Sequence, residues 1–147
     1  YFSSKLAAER VVAESGLPWT TLRATQFHDL IFMVVRQLTK LPVVPVVSGC
    51  KFQPIDAGDV ADQLVALALG APSGLAPDIA GVRVYEMADL VQTYLQASGK
   101  HRPRLPIWLP GKAAAALRAG AALAPERAVG RRTWEDFLAE REDALRR

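Results

Sequence analysis

The sequence has 147 residues, half of them hydrophobic, and its 18 Lys and Arg against 15 Asp and Glu leave a formal charge of +3. That length suits one domain, and that apolar content excludes a disordered chain. The single cysteine, Cys50, excludes an internal disulfide, and the small charge excess, much of it in GKHRPR and RRTWEDFLAEREDALRR, forms neither the basic stripe nor the recognition module a nucleic-acid partner requires.

The chain opens YFSSKLAAERVVAESG, and residues 2–15 read as a helix. Leu6, Val11 and Val12 form part of an apolar face, Glu9 stands at pairing distance from Lys5, and Gly16 and Pro18 stop the helix. WTTLRAT, rich in β-branched residues, predicts a strand of about six residues. HDLIFMVVRQLTK predicts a second helix. VVPVV and KFQPI are short extended segments whose prolines argue against a regular central strand. In DAGDVADQLVALALG, Asp56 is placed to cap a clear helix, with Asp59 beside the cap amides. APSGLAPDIAG predicts a loop, GVRVYE a strand and MADLVQTYLQASG a helix closed by Gly99. RLPIWLPG is an extended or irregular link. The alanine-rich stretch 112–124 predicts a helix weakened at Gly120 and ended by Pro125, and Thr133 caps a last helix with Asp136 as a shortened capping-box acid. The alternation of helix and strand, followed by helix alone, predicts an α/β region over residues 1–99 and a mainly helical extension over 100–147. No signal-peptide pattern opens the sequence, and its apolar runs fall short of the roughly 20 residues that span a bilayer. A cytoplasmic protein with no membrane partner is expected.

Tyr1 and Lys5, four residues apart, share one helix face. A neighbouring ammonium favours phenolate over phenol, so such a pair suits proton transfer to or from a substrate oxygen, with the lysine also able to reach sugar hydroxyls. The same spacing is equally the first turn of an ordinary helix. Thr25, Gln26 and Phe27 follow the carboxyl end of the predicted strand, where ligands gather in open α/β sheets, although Phe27 reads as well as core. Arg23 in the strand needs a carboxylate partner if buried, and reads either as an ion pair holding a neighbouring element or as a ligand contact. His28 reads as a surface helix residue, with Asp29 beside it. Asp56 and Asp59 have capping rather than metal-ligand spacing. Cys50 and His101 stand alone, so no metal site is expected. Trp134 is expected to bury, and Trp108 either buries or borders a substrate pocket.

The stretch YFSSKLAAERVVAESGLPWTTLRATQFHD resembles the atypical short-chain dehydrogenase/reductases, and most of all their NmrA-like, NAD(P)-binding branch. The resemblance rests on Tyr1, Lys5, Glu9, Gly16, Leu17, Trp19, Thr20, Leu22, Arg23 and Phe27, and continues through FQPIDAGDVADQL and GVRVYEMADLVQTYL. It covers most of residues 1–99 and fades beyond Leu109. It implies the C-terminal part of a Rossmann-like fold, with NADP or NAD as cofactor and a carbonyl or quinone-like small molecule as substrate. Tyr1 becomes the catalytic acid or base and Lys5 its electrostatic helper and ribose contact. Thr25, Gln26 and Phe27 come beside the nicotinamide, and Gln53 on the substrate side.

The resemblance also implies a missing partner. No glycine-rich phosphate turn of the G-x-G-x-x-G type occurs, and Gly111, Gly120 and Gly130 are too dispersed to form one. The chain therefore reads as the second half of a longer protein, or as one whose uncovered sheet flank is closed by self-association. Some relatives of this kind bind dinucleotide without turnover, so a redox sensor, regulator or assembly protein stands as the alternative to an oxidoreductase.

Overall fold

The computed structural model describes residues 2–141 and 145. Helix α1 (Phe2–Ala13) precedes strand β1 (Thr20–Thr21), which pairs in parallel with β4 (Gly74–Leu75). Formal pairing covers only these two residues, fewer than expected. The reason lies in the neighbouring segment. Gly74 and Ala76 donate N–H bonds to Trp19 and Thr21, but the next donor to Arg23 is Ile79, three residues beyond Ala76 where β1 advances two, so an extra residue interrupts the ladder before Thr25 donates to Ile79. The segment expected as a loop is thus an irregular parallel neighbour of β1.

Helix α2 (His28–Leu38) turns Ile31 and Val35 inward. Strand β2 (Val44–Val47) pairs in parallel with β6 (Arg104–Ile107). Residues alternate sides in such a pair, and the N–H groups of Val44 and Ser48 donate to Pro103 and Ile107. Pro45 therefore faces away from β6, at a position where a missing N–H costs no ladder bond. A third pair, antiparallel, joins β3 (Lys51–Phe52) to β5 (Tyr85–Glu86), so the strand expected from residue 81 begins four residues later.

Asp56 caps helix α3 (Ala57–Ala68), its Oδ1 accepting the Gly58 N–H at 2.8 Å. Helix α4 (Met87–Ala97) ends in Gly99, whose φ of +64° favours glycine. Helix α5 is shorter than expected, spanning Lys112–Arg118, because Gly120 takes a φ of +84° and breaks the alanine run. A single 3₁₀ turn (Pro125–Arg127) leads to α6 (Trp134–Ala139). There the shorter Asp136 does complete the capping box. Its Oδ2 accepts the Thr133 N–H at 2.9 Å, while Thr133 Oγ1 accepts the Asp136 N–H at 3.1 Å.

The main core is built from Ile31 and Val35, Val44 and Val46, the inner face of α4 (Leu90, Val91, Tyr94) and Trp134, Phe137 and Leu138 of α6. Residues on both sides of position 99 thus share one core. No helix among the described residues is long and apolar enough to cross a membrane.

Candidate functional site

The carboxyl end of the β1 segment is where four stretches of chain meet. Gln26 O accepts the Ile55 N–H at 2.8 Å, and Ile55 O accepts the His28 N–H at 3.0 Å. Thr25 Oγ1 donates to Gln53 O at 2.5 Å. The Gln26 side chain accepts the Gln53 N–H at 3.3 Å and donates to Ala122 O at 3.2 Å. Phe27 sits at the N-terminus of α2 in extended conformation with no side-chain cap, its ring 40% exposed. Of the three residues expected beside a nicotinamide, Thr25 and Gln26 are knitted into the scaffold and Phe27 presents an open ring.

Gln53, expected on the substrate side, is buried. Its Nε2 donates to Gly81 O at 2.8 Å and its Oε1 accepts the Ala124 N–H at 2.9 Å. This amide ties the β3 segment to the chain before β5 and to the segment after α5, so the buried group is satisfied by backbone and does not face a cleft. Around it, backbone passes close to backbone. A Cβ on Gly81 would lie 1.7 Å from Pro54 O, and one on Gly130 would lie 2.9 Å from Gly81 Cα. Only glycine fits either place.

His28 departs from expectation. It is fully buried, with its ring centroid 5.1 Å from Phe137 and 6.1 Å from Trp134, and neither ring nitrogen has a hydrogen-bond partner among the described residues. Burial pushes its pKa below the ordinary value, against the pull of Asp56, Asp29 and Asp59 and with a smaller push from Arg132. Folding of α6 back over α2 buries the ring, and nothing local to residue 28 announces that.

Asp56 caps α3, as its spacing implied, and both Asp56 and Asp59 anchor the far end of the chain. Arg132 Nη1 donates to Asp56 Oδ2 at 3.0 Å, and Arg131 donates to Asp59 from its backbone N–H at 2.9 Å and from Nε at 2.7 Å. Burial pushes the Asp59 pKa up, but these Arg131 bonds outweigh it and hold the carboxyl below the usual range. The arginine doublet before the Thr133 cap was the sequence signal for this link. No group of His, Cys, Asp and Glu among the described residues can hold a metal ion.

Lys5 lies on the exposed helix α1, and Tyr1 lies outside the described residues. Arg23 makes an ion pair with the preceding helix. Its Nε stands 3.2 Å from both Glu9 carboxylate oxygens and its Nη2 stands 2.6 Å from Oε2. The Arg23 hydrogen bonds hold the Glu9 carboxyl below its ordinary pKa, and Lys5 adds to this. Trp108 is 68% exposed, with the Arg118 guanidinium stacked 3.9 Å from its ring centre.

No protein-family profile and no curated protein matches the sequence. Solved structures do match in fold. An NADPH-dependent quinone oxidoreductase from Escherichia coli superposes with a TM-score of 0.72 at 15% identity, over 94% of this chain and 60% of that one. A UDP-glucuronic acid 4-epimerase from Bacillus cereus, solved with NAD, gives 0.63 at 18% identity over 99% and 50%. A nucleoside-diphosphate-sugar epimerase from Staphylococcus aureus gives 0.60 at 17% identity over 90% and 56%. The chain has the fold of the C-terminal part of Rossmann-like NAD(P)-binding proteins, and it spans about half the length of these neighbours.

Proposed function

We propose that this chain is the substrate-side half of an NmrA-like, NAD(P)H-dependent oxidoreductase of the atypical short-chain dehydrogenase/reductase type, cytoplasmic and acting on a carbonyl or quinone-like small molecule. The Glu9–Arg23 pair carries the reading because it sets the register of α1 against β1. The chain reverses between Ala13 and Thr20, so moving back along α1 from Glu9 is moving forward along the strand from Arg23. Four helical residues rise about 6 Å, and two strand residues rise about 6.6 Å. One turn back, Lys5 comes level with Thr25, toward the carboxyl end where α/β sheets bind ligands.

The residues present suit one end of the cofactor. Phe27 offers an open ring for a nicotinamide, Thr25 Oγ1 keeps acceptor capacity, and Lys5 suits ribose hydroxyls. The 147 residues hold no glycine-rich turn for the pyrophosphate. When bound, NADP or NAD supplies or accepts the hydride. The Tyr1 phenol then transfers a proton to or from the substrate oxygen, and the Lys5 ammonium stabilises its phenolate form. The buried, unpaired Cys50 is in keeping with a reducing compartment.

The test restores a dinucleotide-binding half upstream. Tyr1→Phe is expected to lower turnover on quinones, aldehydes or ketones by roughly 10²–10⁴-fold with little change in cofactor affinity. Lys5→Ala is expected to lower both. Unchanged turnover in Tyr1→Phe removes the acid–base role. One observation favours the second reading, a dinucleotide-dependent sensor or assembly protein. The amides of Gln26 and Gln53 are already committed to the scaffold, leaving few free polar groups at the strand end. A partner protein whose affinity follows NADPH, with no turnover, would support it.

A further inference from the structure

The densest positive charge lies away from the β1 strand end. Lys100, Arg102 and Arg104 fall within five residues and equal in number the formal excess of +3 for the entire chain. With Gln92, Gln96 and His101 they line an open groove of about 610 Å³ between the end of α4 and β6. Its lining contains no carboxylate. Among the described residues, Arg102, Lys100 and His101 have no ion-pair or hydrogen-bond partner for their side chains, and Arg104 makes only a long 3.4 Å bond to Ala88 O. A depression of about 540 Å³ on the other side of the Arg102–Arg104 ridge contains Glu86, which sets the first groove apart as the one that suits an anion.

Basic residues after a helix often serve to cap its carbonyls. Here the backbone has taken that role. The N–H groups of Ser98, Gly99 and Lys100 close on Tyr94 O, Gln96 O and Leu95 O at 2.9, 3.1 and 3.0 Å. The cationic side chains are left over from capping. Pro103 holds Arg102 extended, and parallel pairing with β2 fixes the Arg104 backbone two residues on, about 6.6 Å away, both residues lining this groove and the second depression, toward which Arg104 makes its bond to Ala88 O. Gln92 and Gln96, one helical turn apart, face the same groove with further amide donors. Leu95 and Pro103 provide an apolar floor.

We propose that this groove binds a phosphorylated small molecule, with Arg102, Arg104 and Lys100 holding its phosphate or diphosphate. Guanidinium forks match phosphate geometry, and the groove volume falls in the range of small-ligand sites, which favours a small molecule over a macromolecule. The site is independent of the dinucleotide reading, since it lies on α4 and β6 and not on α1 and β1.

Calorimetric titration of the 147-residue chain at low salt with pyrophosphate, ADP and sulfate tests it. Saturable binding of pyrophosphate and ADP, tighter than that of sulfate, is expected. Arg102→Ala is expected to weaken it roughly tenfold or more, and Arg36→Ala on α2 to leave it unchanged. Amide shifts in the NMR spectrum should move at residues 92–104. The proposal fails if no saturable binding occurs, or if Arg102→Ala and Arg104→Ala both bind as before. It also fails if a DNA duplex binds where pyrophosphate does not. Binding lost in Lys5→Ala but kept in Arg102→Ala would place the phosphate beside α1 and overturn this groove while supporting the dinucleotide site.

Discussion

Protonating His28 places a charge on a ring enclosed by Trp134 and Phe137 with no acceptor for either N–H among the described residues. The charged groups around it include Asp29 on its own helix, Asp56 and Asp59 at the start of α3, and Arg132 before and Asp136 on α6, and burial outweighs the acids among them. Its folded pKa lies below the unfolded value of about 6.5. The unfolded chain therefore binds the proton first, and stability is lost as pH falls from about 6.5 toward the folded value. Thermal melts from pH 8 to 5 should show a falling midpoint, and His28→Leu should flatten that fall. An equal slope in both proteins would refute the assignment. The Asp59 and Asp136 carboxyls, held low by Arg131 and Thr133, contribute their own loss only at more acid pH. Gly81 is the second decisive residue. Any added Cβ would meet Pro54 O at 1.7 Å, so Gly81→Ala must displace backbone, and a loss of about 3 kcal/mol or more in denaturant unfolding is expected. Neither effect was legible in the sequence, because both depend on segments distant along the chain. His28 meets residues 134 and 137, and Gly81 meets Pro54 and Gly130.

Helix α6 shows which elements can be read locally. Its cap is a short-range event between Thr133 and Asp136, and the sequence announced it. So did the Asp56 cap of α3 and the glycine stop of α4, while the β1 and β5 strands came out shorter than their β-branched runs suggested. Strand length depends on the partner, and the extra residue between Ala76 and Ile79 in the neighbouring segment interrupts the β1 ladder whatever Thr20 and Thr21 prefer. Docking of α6 relies on Tyr85, whose hydroxyl donates to Glu135 at 2.6 Å and accepts the Trp134 N–H at 3.2 Å, and on Trp134 Nε1 donating to Leu90 O at 3.1 Å. Burial, reinforced by the bond to Glu135, pushes the Tyr85 pKa up to about 12. Because the phenol ionises at about 10 when unfolded, its contribution is intact below pH 10 and is lost as pH rises toward 12. Tyr85→Phe should cost about 1–3 kcal/mol at neutral pH by leaving the Trp134 N–H unpaired. It should also reduce the alkaline loss of stability, which a denaturant series at pH 8 and pH 11 would measure.

At the scale of the molecule, the main core is well covered and the β1 flank is not. Every residue of α1 from Lys5 to Ala13 except Glu9 is exposed, including Leu6, Val11 and Val12. Leu64, Val65 and Leu69 on α3 or just after it are exposed as well. A short helix whose Leu6, Val11 and Val12 stay exposed is marginal in water, and the Glu9–Arg23 pair is its one side-chain ion pair to the β1 segment among the described residues. The expectation that the fold is shared with another half, or covered by a second copy, rests on this imbalance together with neighbours about half of whose length the chain spans. Hydrogen exchange on the 147-residue chain tests it directly. Amides of α4, whose inner face is buried in the core, should exchange only through global or near-global opening. Those of α1 should exchange far faster, and Arg23→Ala should accelerate α1 alone. Raising the protein concentration, with mass followed by light scattering, distinguishes the two ways of covering the flank. If a second copy covers it, α1 becomes protected as the mass doubles. If only a dinucleotide-binding half does, protection appears on adding that half and not on concentration. Protection of α1 equal to that of α4 in a dilute monomer would show that the chain needs neither.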